Sequence, residues 1–159
     1  MKKHLFKISL CAMVLGFAAT QLSAQTISFQ SQDVECLGVE LDGSQTVRAF
    51  GKGRNKSDAV EQAKKNAVYA VIFTGIRGGV QGCDMRPLVN EPNARDKYEE
   101  YFNIFFLDDG AYKEYVSMED AKRRSKDKTT NKYVKNYTVT VRVLRAELKA
   151  RLRADGILP

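Results

Sequence analysis

Between Thr46 and Ile76 a short apolar run passes through Gly51-Lys52-Gly53 into a long amphipathic pattern, and few local structures satisfy that order. Thr46-Val47-Arg48-Ala49-Phe50 has the β-branched, alternating character of a strand. Gly51 and Gly53 are expected to end it, after which the Asn55 or Ser57 side chain can cap a helix by accepting from an early backbone N–H. Ala59, Ala63, Ala67, Ala70 and Val71 then recur at steps of three and four, so a helix over about 56–74 would carry them on one face. Glu61, Gln62, Lys64 and Lys65 fall elsewhere, with Glu61 and Lys65 spaced for an i,i+4 ion pair. A face of alanines has little volume, which suits a helix lying close against a sheet.

Gly51-Lys52-Gly53-Arg54 before a helix start also invites a phosphate-loop reading, because helix N-termini and bases attract anions. The dinucleotide fingerprint needs a third glycine where this chain has Lys56, and the Walker pattern is absent. A tight strand-to-helix turn is the preferred reading.

The flanking sequence supplies the other elements. Val34–Leu41 and Ser44–Phe50 pair as a hairpin across Asp42-Gly43, a two-residue turn signal. Gly75, Gly78, Gly79, Gly82, Pro87 and Pro92 make a long irregular connection, pinned at Cys83 in one reading, and a loop of that length is a candidate surface for a partner. Asn93 is expected to cap a second helix through about Leu107. Its Tyr98, Tyr101, Phe102, Phe105 and Phe106 form an aromatic stripe, read as core ahead of a ligand or partner face. Asp108-Asp109-Gly110 is a turn without the spaced ligands of a calcium loop. Ala111–Ser117 is expected to be a strand, and Met118–Asn131 an exposed polar connection. Tyr137, Val139, Val141 and Val143 alternate with Thr138, Thr140 and Arg142, a strand with one buried and one wet face. Leu144, Leu148 and Leu152 point inward from a last helix that ends at Asp155-Gly156, with Ile157 packing back. The order implies an α+β fold of two layers, an antiparallel sheet of about four strands packed against about three helices.

From Phe50-Gly51-Lys52-Gly53 through Asn66-Ala67 the chain resembles small bacterial envelope domains of the kind found at the N terminus of the flagellar assembly protein FlgT and in related exported lipoproteins. Those share a strand, a Gly-x-Gly turn and an alanine-lined helix. The resemblance implies a structural or assembly module of the cell envelope and supplies no catalytic residue. The lipid-anchoring cysteine of the lipoproteins has no counterpart here.

The N-terminal stretch independently indicates export. Met1-Lys2-Lys3, an apolar run from Leu5 to Ala19, and Leu22-Ser23-Ala24 before Gln25 read as a signal peptide, 1–24, cleaved after Ala24. Residues 25–159 then form a single α+β domain in the periplasm or outside the cell. No later run is long and apolar enough to span a bilayer. Cleavage removes Lys2, Lys3 and Lys7 and no acid, so the formal charge falls from +7 to +4. The segment Lys122–Lys132 carries +5 by itself. One local basic cluster, including Lys122, Arg123, Arg124, Lys126 and Lys128, does not make the basic face of a nucleic-acid binder. It is either a solvated connection or a patch for anionic envelope polymers or lipid head groups. Cys36 and Cys83 remain after cleavage. An even count in an oxidising compartment points to one disulfide, with two separate buried thiols as the alternative.

The chemistry is constrained by what is missing. The single histidine, His4, leaves with the signal peptide. Histidine-based triads and the usual histidine-containing zinc sites are thereby ruled out. Paired carboxylates could still hydrolyse glycans. Asp84, Glu91, Asp108 and Asp109 are the candidates near loops, but no spacing singles out a pair, and there is no tryptophan to form a sugar platform. No catalytic residue, metal site or cofactor is expected. The reading that follows is a non-enzymatic binding or assembly protein whose partner is an envelope protein or an anionic envelope polymer.

Overall fold

The computed structural model describes residues 34–119, 126–129 and 135–159, with backbone alone for 126–129 and 135. The expected signal peptide 1–24, its expected cleavage site and residues 25–33 lie outside the described residues. The protein is an α+β fold, with one sheet and four α-helices among the described residues. In chain order it has β1 (Glu35–Val39), β2 (Gln45–Gly53), α1 (Lys56–Tyr69), β3 (Gly78–Gly79), α2 (Ala94–Lys97) and α3 (Glu99–Phe105). There follow β4 (Val116–Ser117), β5 (Lys126–Thr129), β6 (Lys135–Val143) and α4 (Arg145–Ala154). The sheet runs β3-β1-β2-β6-β4, with β5 also paired to β6. All pairs are antiparallel except β1 with β3. The sheet is therefore mixed, not antiparallel throughout, and has more strands than the four expected, because the short β3 and β5 carry too few residues to show a period of two.

The hairpin β1–β2 forms as expected, but its loop has three residues. Glu40 N donates to Ser44 O at 2.9 Å and Gly43 N to Glu40 O at 2.9 Å. The Asp42 carboxylate accepts from Ser44 N and Oγ at 2.9 and 2.6 Å, fixing the turn. The larger departure is that β2 does not stop at Gly51. It continues through Gly53, paired with β6 from Gln45↔Val143 to Gly53↔Lys135. The glycines serve the approach of α1. A Cβ on Gly51 would run into Ala59 O and lie 2.5 Å from Ala63 N, so the helix backbone rests where a side chain would stand.

Helix α1 starts at Asn55, whose side chain accepts from Asp58 N at 2.9 Å. Ala59, Ala63, Ala67, Ala70 and Val71 are all buried. The helical path ends within the expected span, but its last turn, Ala70–Thr74, is a π-helix. The expected Glu61–Lys65 pair is replaced. Glu61 pairs with Lys64, and Lys65 turns into the protein to meet Asp108 at 2.7 Å.

The second helix is broken at Tyr98 into α2 and α3, and Asn93 adopts φ 60° without a capping hydrogen bond. Phe102, Phe105 and Phe106 are buried, with Tyr98 and Tyr101 packed at the margin, so the aromatic stripe is core. Ala111–Tyr115, expected as strand, is a 3₁₀ turn, and only Val116–Ser117 pairs with β6. Leu148 and Leu152 of α4 are buried while Leu144 is half-buried at its start. The helix closes on Gly156, φ 73°, with Ile157 N donating to Leu152 O and Gly156 N to Arg153 O. This is the paired-bond glycine cap, and Ile157 packs back as expected.

On β2 and β6, Val47, Ala49, Val139, Val141 and Val143 face the helices and are buried. Arg48, Phe50, Lys52, Thr138 and Arg142 occupy the alternate positions on the outer face. That face is not uniformly wet, since Thr46 and Thr140 on it are also buried.

Candidate functional site

The long loop after α1 is the least regular part of the described chain, yet it is tied to four other elements. β3 lies beside the first residues of β1, and Val80 N continues the ladder by donating to Cys36 O at 3.2 Å. The Cys36 and Cys83 sulfurs are 2.03 Å apart, a disulfide, with Cα atoms 6.3 Å apart. Ile76 N bonds to Met85 O, and Leu88 N and Val89 N bond back to Val71 O and Ile72 O, each at 2.9 Å. The last two bonds use carbonyls of the π turn, which lack the usual helical partners.

Beyond the bridge, a polar knot holds the loop. Gln45, buried on β2, donates from Nε2 to Asp84 O at 2.9 Å. Arg145 Nη2 donates to Asp84 Oδ2 at 3.0 Å and to Arg86 O at 2.7 Å. Asp84 Oδ1 accepts from Arg86 N at 3.1 Å. Burial pushes the Asp84 carboxyl up, but the Arg86 backbone bond and the charges of Arg145 and Arg86 outweigh it and hold the group below the usual carboxylate range. Sequence reasoning missed Gln45 and Arg145. A signal was present for Arg145, since a cation in the first turn of a helix opposes the dipole unless a tertiary partner holds it.

Held this way, the loop and the hairpin place apolar side chains in solvent. Val39, Leu41, Val80 and Met85 are exposed, with Leu41 fully so at the hairpin tip. Asp42, Asp84 and Arg86 lie among them in sequence.

The four carboxylates considered for hydrolysis each meet a base. Asp84 meets Arg145, Glu91 meets Lys97 at 2.8 Å, Asp108 meets Lys65 at 2.7 Å and Asp109 meets Lys113 at 3.2 Å. The hydrogen bond from Lys65, with its charge, holds the Asp108 carboxyl low. A general acid for glycoside cleavage needs the opposite shift. The phosphate-loop reading of Gly51–Arg54 loses its loop, since β2 runs through Gly53, and Arg54 pairs with Asp58 at 3.1 Å.

Of the basic cluster, Lys122, Arg123 and Arg124 lie outside the described residues. Lys126 and Lys128 belong to β5, in register with Thr138 and Asn136 of β6. Among the described residues no three His, Cys, Asp or Glu side chains are grouped to share a metal ion. No helix among them is long and apolar enough to cross a membrane. No protein-family model matches the chain, nor does any curated protein or solved structure.

Proposed function

We propose that this chain is an exported, non-enzymatic binding or assembly protein of a bacterial cell envelope. The observation that carries the reading is the Cys36–Cys83 disulfide, which fastens the glycine-rich loop to the sheet and suits an oxidising compartment. The apolar leader Leu5–Ala19 supports the same compartment from the sequence. A loop held by a bridge and a polar knot loses little entropy on engaging a partner, so its exposed Val80 and Met85, with Val39 and Leu41 of the hairpin, are the apolar side chains offered to an envelope protein. Pairing of all four candidate carboxylates with bases supports binding over hydrolysis.

Expression in a Gram-negative host tests the reading by fractionation and non-reducing gel mobility. Processed, bridged protein in the periplasm or medium is expected. Recovery of unprocessed, reduced protein in the cytoplasm would sink it. Turnover of peptidoglycan or a polysaccharide, abolished by one Asp or Glu substitution, would replace it with the hydrolase reading.

A second reading, an anion binder acting through Lys122–Lys132, is favoured by the pairing of β5 with β6. That pairing carries the Lys126–Thr129 part of the cluster into the sheet.

A further inference from the structure

On the outer face of the sheet, a cavity of about 540 Å³ opens among β1, β2, β3 and β6. Strand register assembles its walls. Glu35 stands opposite Arg48 on one side and Gly78 on the other, while Phe50 stands opposite Thr138. Arg77 precedes Gly78 and completes the rim. The Glu35 carboxylate accepts from Arg48 Nη2, which steers that guanidinium and leaves its remaining N–H donors for other acceptors. Arg77 is exposed and makes no hydrogen bond or ion pair with the described residues. Two guanidiniums against one carboxylate leave the cavity positive. Phe50, half-buried on an outer strand face, offers it an aromatic surface.

This combination selects a ligand chemistry. Guanidinium groups recognise carboxylate and phosphate through paired N–H donors, and an aromatic ring adds contact area for a ring beside the anion. The volume falls in the range of about 300–1,000 Å³ typical of small-molecule sites, large enough for one unit of a polymer. We propose that this cavity binds an anionic unit of an envelope polymer, its phosphate or carboxylate held between Arg48 and Arg77 and its ring laid on Phe50. Lys52, at the next outward position of β2 after Phe50, adds a further base on the same face. The assignment rests on the export reading only for the source of the ligand.

Gly78 gives a direct means of blocking the cavity, because a Cβ there would meet no heavy atom within 4 Å. The test is calorimetric titration of the exported protein with polyphosphate and with polygalacturonate at low salt. Binding to at least one is expected, at least tenfold weaker in Arg77→Ala and in Gly78→Leu. Lys149→Ala, a base on α4 outside the cavity, should bind as the parent does. Arg77→Lys, which keeps the charge but not the fork, should fall between. Melting curves should confirm that the variants stay folded, and Gly78→Leu serves if Arg77→Ala does not. Absence of binding to both polymers, binding that survives both blocking variants, or binding only to phosphatidylglycerol vesicles would each overturn the proposal. Cytoplasmic location with binding weakened in both variants would instead refute export and leave the cavity assignment standing.

Discussion

Gly51 marks the closest approach of the sheet to its helix, and the small size of Ala59 and Ala63 is the other half of that contact. Replacing Gly51 by alanine sets a methyl group against helix backbone, which cannot rotate away as a side chain can. The expected loss is about 3 kcal/mol, at the upper end for overpacking. Gly38→Ala is the control, since a Cβ there meets nothing within 4 Å, and it should change stability far less. Urea denaturation of the pair measures the difference, and equal midpoints would show that α1 can shift to make room. The alanine spacing announced a close helix, because small residues on one face have few other uses. The role of Gly51 was hidden. A glycine that ends a strand and one that lets a helix press on a strand look identical in sequence. Lys65 was obscured similarly: its pairing with Asp108 depends on a turn 43 residues away, which no local spacing encodes.

Among the elements, those with long, regular apolar periods were legible. The period of two in Tyr137–Val143 and the three-four spacing of α1 are each repeated often enough to override local exceptions. Ala111–Ser117 was misread as strand because Tyr112 and Tyr115 are β-formers by type. Both are buried, and their spacing of three fits one turn of 3₁₀ helix rather than a strand period of two. The break at Tyr98 lies inside a continuous aromatic pattern and has no proline or glycine to announce it. The connection from Gly75 to Pro92 was read as a candidate surface, but its anchors were not legible, since Gln45 and Arg145 come from strands and helices far along the chain. Arg145→Ala should remove two hydrogen bonds to the loop and leave Asp84 with only the more distant Arg86 guanidinium, 3.8 Å away. We expect a loss of about 1–2 kcal/mol, tempered by the half-exposure of Asp84. Amide exchange should quicken at residues 84–89 and stay unchanged in β6. Uniform acceleration across the protein would mean that Arg145 stabilises the whole fold rather than this loop.

At the scale of the molecule, the class of fold and the pairing of Cys36 with Cys83 agree with what composition and element order imply, whereas the parallel contact of β3 with β1 required the folded chain. The ionic network sets the response to pH. The Lys65 bond holds the Asp108 carboxyl low, and the bonds from Tyr101 and Arg151 do the same for Asp155. The unfolded chain therefore takes up protons before the folded one as pH falls, so stability present above about pH 5 is lost on descending through the folded values. The phenols act in the opposite direction. Burial, then the hydrogen bond to Glu61, raises Tyr112 well above its ordinary 10.0, and burial with the bond to Asp155 raises Tyr101. Above about pH 10 the unfolded chain gives up these protons first and the fold weakens again. Scanning calorimetry should show a Tm plateau between about pH 5 and 9 with losses on both sides, and an unchanged Tm at pH 3 would rule out these acidic pairs as a source of stability. The bridge carries a different consequence. Cys36 and Cys83 are 47 residues apart, and together they close a covalent ring that contains β2, α1 and β3. A protease that cuts once at the exposed stretch 80–82 opens that ring without parting the chain. The two pieces travel as one molecule until a reductant reaches the sulfurs, so a nicked protein in an oxidising compartment keeps both halves in register.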